Sequence, residues 1–278
     1  MGSRRTYRTA PAFGGRTSGK GRLIVAVIMI AFALISYYSS KEYNPVTGED
    51  QYIALTPHQE IAMGLQAVPE MTAQYGGAYA DPQYQQYLDD VGFRIVNSSA
   101  ARDTEWQFEF TLLADPQTIN AFALPGGPVF ITKALFDRLE TEGQLAGVLG
   151  HEIGHVVARH SAQRIAKANL TEGITGAVVV ASGDERTAQM AVMVGQMINM
   201  KYGREDELQS DMLGVQFMVD AGYDPRSLIG VMKILEETSG GSPPEFMSTH
   251  PNPGNRAARI EEAIQQLFPN GVPDGLIP

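Results

Sequence analysis

The chain has 278 residues, 44% hydrophobic and 19% charged, which fits a globular protein of one or two domains and excludes bulk disorder. It has no cysteine, so it has no disulfide framework, thiolate metal site, cysteine nucleophile or lipidated N-terminal Cys. The net charge of −10 is split: Arg4, Arg5, Arg8, Arg16, Lys20 and Arg22 give residues 1–22 a charge of +6, and the rest holds −16, the wrong sign for a nucleic-acid binder.

The basic arm leads into Leu23–Tyr38, an apolar run whose helix covers roughly 24 Å. Extension from Gly21 to Ser40 reaches spanning length, with Arg22 placed to snorkel at one end and Tyr37 and Tyr38 suited to the interface at the other. An uncleaved signal anchor, a cleaved secretory signal and an organelle transit peptide all match this pattern. The exit Ser36-Tyr-Tyr-Ser-Ser40 has no good small-x-small cleavage step, which favours the anchor. The positive-inside rule then puts residues 1–22 in the cytoplasm, 23–40 in the membrane and the rest outside the cytoplasm.

Residues 41–55 read as a linker with a turn at Asn44–Gly48, and 56–278 as one domain. Helical patterns run from about Pro57 to Ala73 and from Asp81 to Asn97. Trp106–Leu113 alternates as a strand, and Asn120–Leu124 and Pro128–Thr132 read as two more around Pro125-Gly-Gly127. From Lys133 the pattern is helical, with breaks expected near Gly173, Gly183, Gly222 and Ser239–Pro244. A few strands followed by many helices predict an α+β fold, mainly helical with a small sheet.

His151-Glu-Ile-Gly-His155 lies in one of these helical stretches. At i and i+4, His151 and His155 sit one turn apart and about 40° apart in azimuth, so both imidazoles reach one ion with Glu152 beside it. Zinc then needs a third protein ligand and an open position for water. His160 lies about 180° round from His151 on the same helix and reads as a packing or surface residue. Ala158 and Ser161 break the metzincin pattern. The third ligand is therefore expected downstream, among Glu172, Glu185, Glu205 and Glu207. Glu172 and Glu185 adjoin glycines and read as loop or cap acids. Glu207 and Asp211 share a helix face, so one can bind metal while the other accepts an imidazole N–H.

Leu149–His160, Tyr202–Asp211, Ser248-Thr-His-Pro251 and Asn120–Thr132 together resemble the gluzincin family of the CAAX prenyl proteases and the periplasmic and mitochondrial quality-control proteases. Asn44-Pro-Val-Thr-Gly48 is similar to the leader of its bacterial, membrane-attached members. The resemblance runs from about residue 44 to 268. It implies a zincin-type domain over 56–278, one zinc on His151, His155 and Glu207, Glu152 as the base, and peptide-bond hydrolysis. Gly203 and Ser210 depart from the family's usual Ser and Ala, which bears on packing beside the metal helix. With one N-terminal membrane segment, prenylated peptides are not the expected substrate. The expected setting is an inner membrane with the domain on the periplasmic side, or the periplasm after signal cleavage.

In this reading zinc acidifies its water and polarises the scissile carbonyl, and Glu152 moves the proton. His250 is the candidate oxyanion donor; alternatively, its Gly/Ser/Pro-rich loop swings it onto the open zinc position as a latch, which is slightly favoured. Arg204 and Arg256 are candidates to pair with Asp211 or brace that loop. The Asn120–Thr132 segment, through Asn120, Ala121, Phe122, Gly126 and Gly127, offers an edge for a substrate strand, although Pro-Gly-Gly fits an ordinary hairpin turn equally well. Ile174–Ala181 and Met190–Met200 are read as a helical lid, with the Met190, Met193, Met197 and Met200 stripe packed in the core. His58 reads as a surface residue at a helix start. The expected activity is zinc-dependent endopeptidase action on unfolded or misassembled polypeptides, with envelope assembly partners and no nucleic acid. The rival is a zinc-dependent holdase or assembly chaperone with little turnover, for which Glu152 would be superfluous.

Overall fold

In a computed structural model of the chain, the described residues are 19–182, 202–238, 245–250 and 255–278. The first element is the apolar helix α1 (Gly19–Ser39), which has the length and composition to cross a membrane. An antiparallel hairpin follows, β1 (Lys41–Asn44) and β2 (Glu49–Tyr52), with Gly48 at φ 71° closing its turn. Residues 41–52 are therefore not an irregular linker. The buried amides of Asn44 and Gln51 donate to the Val157 and Ala158 carbonyls at 2.8 Å each, satisfying groups that a helix C-terminus leaves open.

Helix α2 (Pro57–Gln74) starts at a Thr56/Gln59 capping box with Pro57 in its first turn, and His58 is exposed there as expected. Helix α3 (Pro82–Ser98) is capped by Asp81, whose side chain accepts from the Gln83 N–H at 2.9 Å. The strands are β3 (Glu109–Leu113), β4 (Ala121–Ala123) and β5 (Pro128–Thr132), in spatial order β3-β5-β4. β3 runs parallel and β4 antiparallel to the central β5. The expected strand start at Trp106 is lost because Gln107 donates to the Gly126 carbonyl outside the sheet.

The helical part comprises α4 (Lys133–Phe136), α5 (Glu142–Val157), α6 (His160–Ser182), α7 (Arg204–Asp220), α8 (Ser227–Glu237), the short α9 (Glu245–Thr249) and α10 (Arg256–Leu267). Residues Gly143–Val157 of α5 are all buried, with α3, α7, α8 and β4 packed round them. The core joins Leu88, Ile95, Leu112, Ile131, Leu149, Ile153, Val215 and Leu228. This is the predicted mainly helical α+β arrangement.

Gly173 does not break α6. It sits where a Cβ would come within 2.7 Å of the Ala33 Cβ, so it is a contact point between α6 and α1. Ile174–Ala181 accordingly packs along α1 and is not a lid over a cleft. Glu172 lies exposed within α6, not in a loop. Gly183, Glu185, Met190–Met200 and Ser239–Pro244 lie outside the described residues.

Candidate metal centre

The site forms where α5 and α7 meet. Gly150, Gly154 and Gly214 let the backbones approach: a Cβ on Gly154 would stand 3.1 Å from the Ser210 carbonyl oxygen, and one on Gly214 would stand 3.1 Å from the His151 nitrogen. This close crossing carries Glu207 and Asp211 up to the histidines. His151 and His155 sit one turn apart with their rings edge to face and their Nε2 atoms 3.1 Å apart. Glu207 Oε1 lies 3.4 Å from His155 Nε2, and Oε2 lies 3.5 Å from His151 Nε2. His250 brings Nδ1 within 3.3 Å of His151 Nε2 and 3.1 Å of Glu207 Oε1. One donor atom from each of these four buried residues falls within 4.8 Å of all the others.

The surrounding hydrogen bonds set the tautomers. Gln209 donates its amide to Glu49 Oε2 at 2.9 Å, so its carbonyl oxygen faces His160 Nε2 at 2.9 Å and must accept. His160 Nδ1 is then an acceptor for the His155 Nδ1–H at 2.9 Å, which leaves a lone pair on His155 Nε2. The Asp211 carboxylate accepts from His151 Nδ1 at 3.0 Å and leaves a second lone pair on His151 Nε2. Two lone pairs and a carboxylate aimed at one point repel unless a cation sits between them. The site therefore fits zinc, whose usual protein ligands are imidazole and carboxylate.

Charge supports the same point. Burial disfavours a charged His151, but its hydrogen bonds with Asp211 and Glu207 outweigh this and carry its pKa to about 9. Burial also opposes the Glu207 charge, yet His250, His151 and His155 hold its carboxyl far below the ordinary range. For His155, burial wins and the pKa falls well below the usual imidazole value. The carboxylates call for positive charge at this point, and a metal would replace the proton.

Glu152 points into the same space. It is fully buried, His250 Nε2 lies 3.7 Å from its Oε1, and neither carboxylate oxygen has a hydrogen-bond partner among the described residues. Burial pushes its pKa up, as a general base near neutral pH needs. Arg256 is the cation that braces the ligand helix: Nε and Nη2 each donate to Asp211 at 2.7 Å, and Nη1 lies 3.2 Å from Glu207 Oε2. Of the two candidate arginines, Arg256 pairs with Asp211, and Arg204 is exposed at the start of α7. Gly203 caps α7 without a side chain, and Asp206 accepts its N–H at 2.8 Å. Ser210 does more than pack, since its hydroxyl lies 3.3 Å from His160 Nδ1.

His250 follows α9, which is tied to the sheet. The Phe246 N–H donates to the Ile119 carbonyl at 3.2 Å, and Glu245 accepts from the Tyr75 hydroxyl at 2.5 Å and from the Asn120 amide at 3.3 Å. Phe246 stacks on the His250 ring at 4.6 Å. Asn120 thus holds the His250 helix. Ala121 is fully buried, and Phe122 stacks on Phe130 at 4.9 Å. Gly126 and Gly127 are buried, and added Cβ atoms would meet the Ile61 Cα at 2.4 Å and the Gln107 carbonyl at 2.1 Å. They serve the hairpin turn, the other reading of Pro-Gly-Gly, and Gly126 also lines a small cavity with His155.

Several site residues were not anticipated. His160 is a partner of His155, and the only sequence signal was a histidine five residues after the motif. Tyr202, within a quoted motif, lays its ring 4.3 Å from that of His155. Arg159, at φ 56° between α5 and α6, binds Glu60 through Nε at 2.8 Å and Nη2 at 2.5 Å, Glu42 at 2.8 Å and the Leu55 carbonyl at 2.9 Å. This strained residue clamps β1 and α2 onto the end of the metal helix.

Comparison with known proteins agrees with this geometry. The chain is 31% identical over 258 residues to the β-barrel assembly-enhancing protease of Escherichia coli strain K12, covering 88% of this chain and 52% of that protein. It is 30% identical over 245 residues to the mitochondrial metalloendopeptidase OMA1 of Schizosaccharomyces pombe, covering 86% and 71%. The OMA1 of Arabidopsis thaliana is 30% identical over 152 residues, covering 55% and 31%. The chain spans about half the length of the bacterial relatives it matches. Residues 82–264 match peptidase family M48, and the gluzincin resemblance resolves to that assignment: the chain belongs to peptidase family M48.

Proposed function

We propose that this chain is a zinc-dependent endopeptidase acting on misfolded or unassembled envelope polypeptides, with α1 as its membrane anchor. The observation that carries the reading is the convergence of His151, His155 and Glu207 donors beside the unpaired, buried Glu152. Zinc held by those three residues supplies a Lewis acid for a carbonyl and acidifies water. Glu152 accepts a proton on its carboxylate and returns it to the leaving amine. Asp211 and His160 hold the two imidazoles in the tautomers that ligation needs, and Arg256 keeps Asp211 and Glu207 in place.

The outer edge of β4 is the place for a substrate strand, because β5 covers its other side and Ala123, Leu124 and His155 line one small cavity. In this arrangement α9 takes the first edge carbonyl, Ile119, and His250 Nδ1 stands among the metal donors. That favours His250 as a latch over His250 as an oxyanion donor. The six cations of residues 1–22 support a cytoplasmic arm and a catalytic domain on the periplasmic side. The relative's name, which refers to β-barrel assembly, supports envelope proteins as substrates and assembly factors as partners.

The test is cleavage of unfolded casein by the purified chain, with and without zinc, beside Glu152→Gln. Zinc-dependent cleavage that Glu152→Gln abolishes while keeping one zinc per chain is the expected result. Tight casein binding without cleavage, unchanged in Glu152→Gln, would establish the holdase instead.

A further inference from the structure

We propose that the second half of α6, from Gly173 to Ser182, lies inside the lipid bilayer against α1, with acyl chains as the partner of its outer face. The proposal rests on the reading of α1 as a membrane helix. The two helices are antiparallel: Gly173 meets Ala33, and a Cβ on Gly176 would lie 3.4 Å from Met29 Cε. Ser182 is six residues beyond Gly176, roughly 9 Å further along the axis, which brings it level with the start of the apolar run near Leu23. A segment at the same depth as a spanning helix shares its medium.

The contact is of the kind that packs helices in lipid. Ala26 and Ala33 of α1 and Ala177 of α6 are buried against one another's helices, and Gly173 and Ala177 form a small-xxx-small step. No charged side chain occurs between Glu172 and Ser182. The hydroxyls along this part of α6 bond back to their own helix: Thr171 donates to the Lys167 carbonyl at 2.8 Å, Thr175 to the Thr171 carbonyl at 2.9 Å and Ser182 to the Val179 carbonyl at 3.1 Å. Such bonds keep polar atoms from facing hydrocarbon. The outward faces are apolar, with Ile28 61%, Phe32 74% and Val178 39% exposed. Because α6 begins at His160, the metal centre stands roughly 16 Å from Thr171 along the helix. One helix thus joins the membrane segment to His160, the partner of His155, and keeps the centre close to the bilayer.

The chain's lack of cysteine allows single-cysteine labelling of the whole chain. Val178→Cys, Ile28→Cys and the exposed α2 control Glu70→Cys would each carry a maleimide nitroxide in phosphatidylcholine vesicles. Collision with oxygen and with a water-soluble nickel chelate would be compared by power saturation. Val178 and Ile28 should both favour oxygen several-fold over Glu70. If Ile28 favours oxygen and Val178 matches Glu70, α6 lies in water and the proposal fails while the anchor stands. If both match Glu70, the anchor reading fails and takes this proposal with it.

Discussion

Asp211→Asn separates two tasks that one carboxylate performs. Asp211 accepts from His151 Nδ1 at 3.0 Å and from Arg256 at 2.7 Å on each oxygen, with all three side chains buried. An asparagine keeps the shape but must turn its NH2 toward His151 or toward Arg256. In the first case His151 loses its acceptor and moves its proton to Nε2, onto the metal side; in the second, two donors face each other. Loss of such an imidazole partner typically lowers metal affinity 10–100-fold. Breaking the buried pair also costs about 3 kcal/mol, the lower end for such pairs because Arg256 keeps Glu207 at 3.2 Å. For a domain of this size that lowers Tm by roughly 6–12 °C. Chelator competition for zinc and thermal unfolding of the metal-free chain measure the two effects separately. A folded Asp211→Asn variant with a lower Tm but unchanged zinc affinity would refute the tautomer argument and leave Asp211 a brace for Arg256.

Glu152→Gln should cut cleavage by about 10²–10⁴-fold and raise Tm, because it removes a buried charge that has no hydrogen-bond partner; an unchanged cleavage rate would remove Glu152 from the chemistry. His250→Ala should raise basal casein cleavage several-fold if it latches the site, whereas a fall of about a hundredfold would mark it as an oxyanion donor. Tyr75→Phe removes a hydrogen bond to the Glu245 carboxylate worth about 1.5–3 kcal/mol and should raise basal cleavage in the same direction; rates equal to wild type would mean the tether does not hold α9. Arg159→Ala should cost about 3–5 kcal/mol at neutral pH by leaving Glu60 buried and unpaired. Burial already raises the Glu60 pKa despite Arg159, so ionised Glu60 costs nothing below its unfolded pKa and costs progressively more as pH rises through the folded value. The Tm gap between wild type and Arg159→Ala should therefore narrow on acidification, and a gap that widened would contradict this reasoning.

Local patterns made the metal helix, its two histidines and its glutamate legible, because i, i+4 geometry is set within one turn. The capped starts of α2 and α3 and the short strands were legible for the same reason: cap chemistry and period-2 alternation act over a few residues. Glu207 and Asp211 stood out as a pair on one face, but spacing alone left open which of them binds metal. Residues whose role depends on a distant partner gave little warning. Arg159 reads as an ordinary charge until Glu60 and Glu42 converge on it. Gly126 and Gly127 read equally as room for a substrate or as a hairpin turn, and the contacts with Ile61 and Gln107 that set their packing are not visible in the pattern. Residues 41–55 read as a linker because the hydrogen-bond partners of Asn44 and Gln51, Val157 and Ala158, lie more than a hundred residues away.

The sequence by itself therefore determined the chemistry on offer: an apolar segment of spanning length, a helix presenting two imidazoles and a carboxylate, an acid pair downstream and a histidine after a Pro-rich stretch. Only the tertiary structure decided how those groups act. The glycine crossing of α5 and α7 sets the distance that makes Glu207 a candidate ligand and Asp211 the partner of His151. The relay from Glu49 through Gln209 and His160 sets the tautomer of His155. The seating of α9 against Ile119, beside β4, puts His250 among the candidate metal donors, and the packing of α6 on α1 turns an expected lid into a companion of that apolar helix. Each depends on groups far apart in the chain meeting within hydrogen-bond or van der Waals range, and a one-dimensional pattern does not encode those distances.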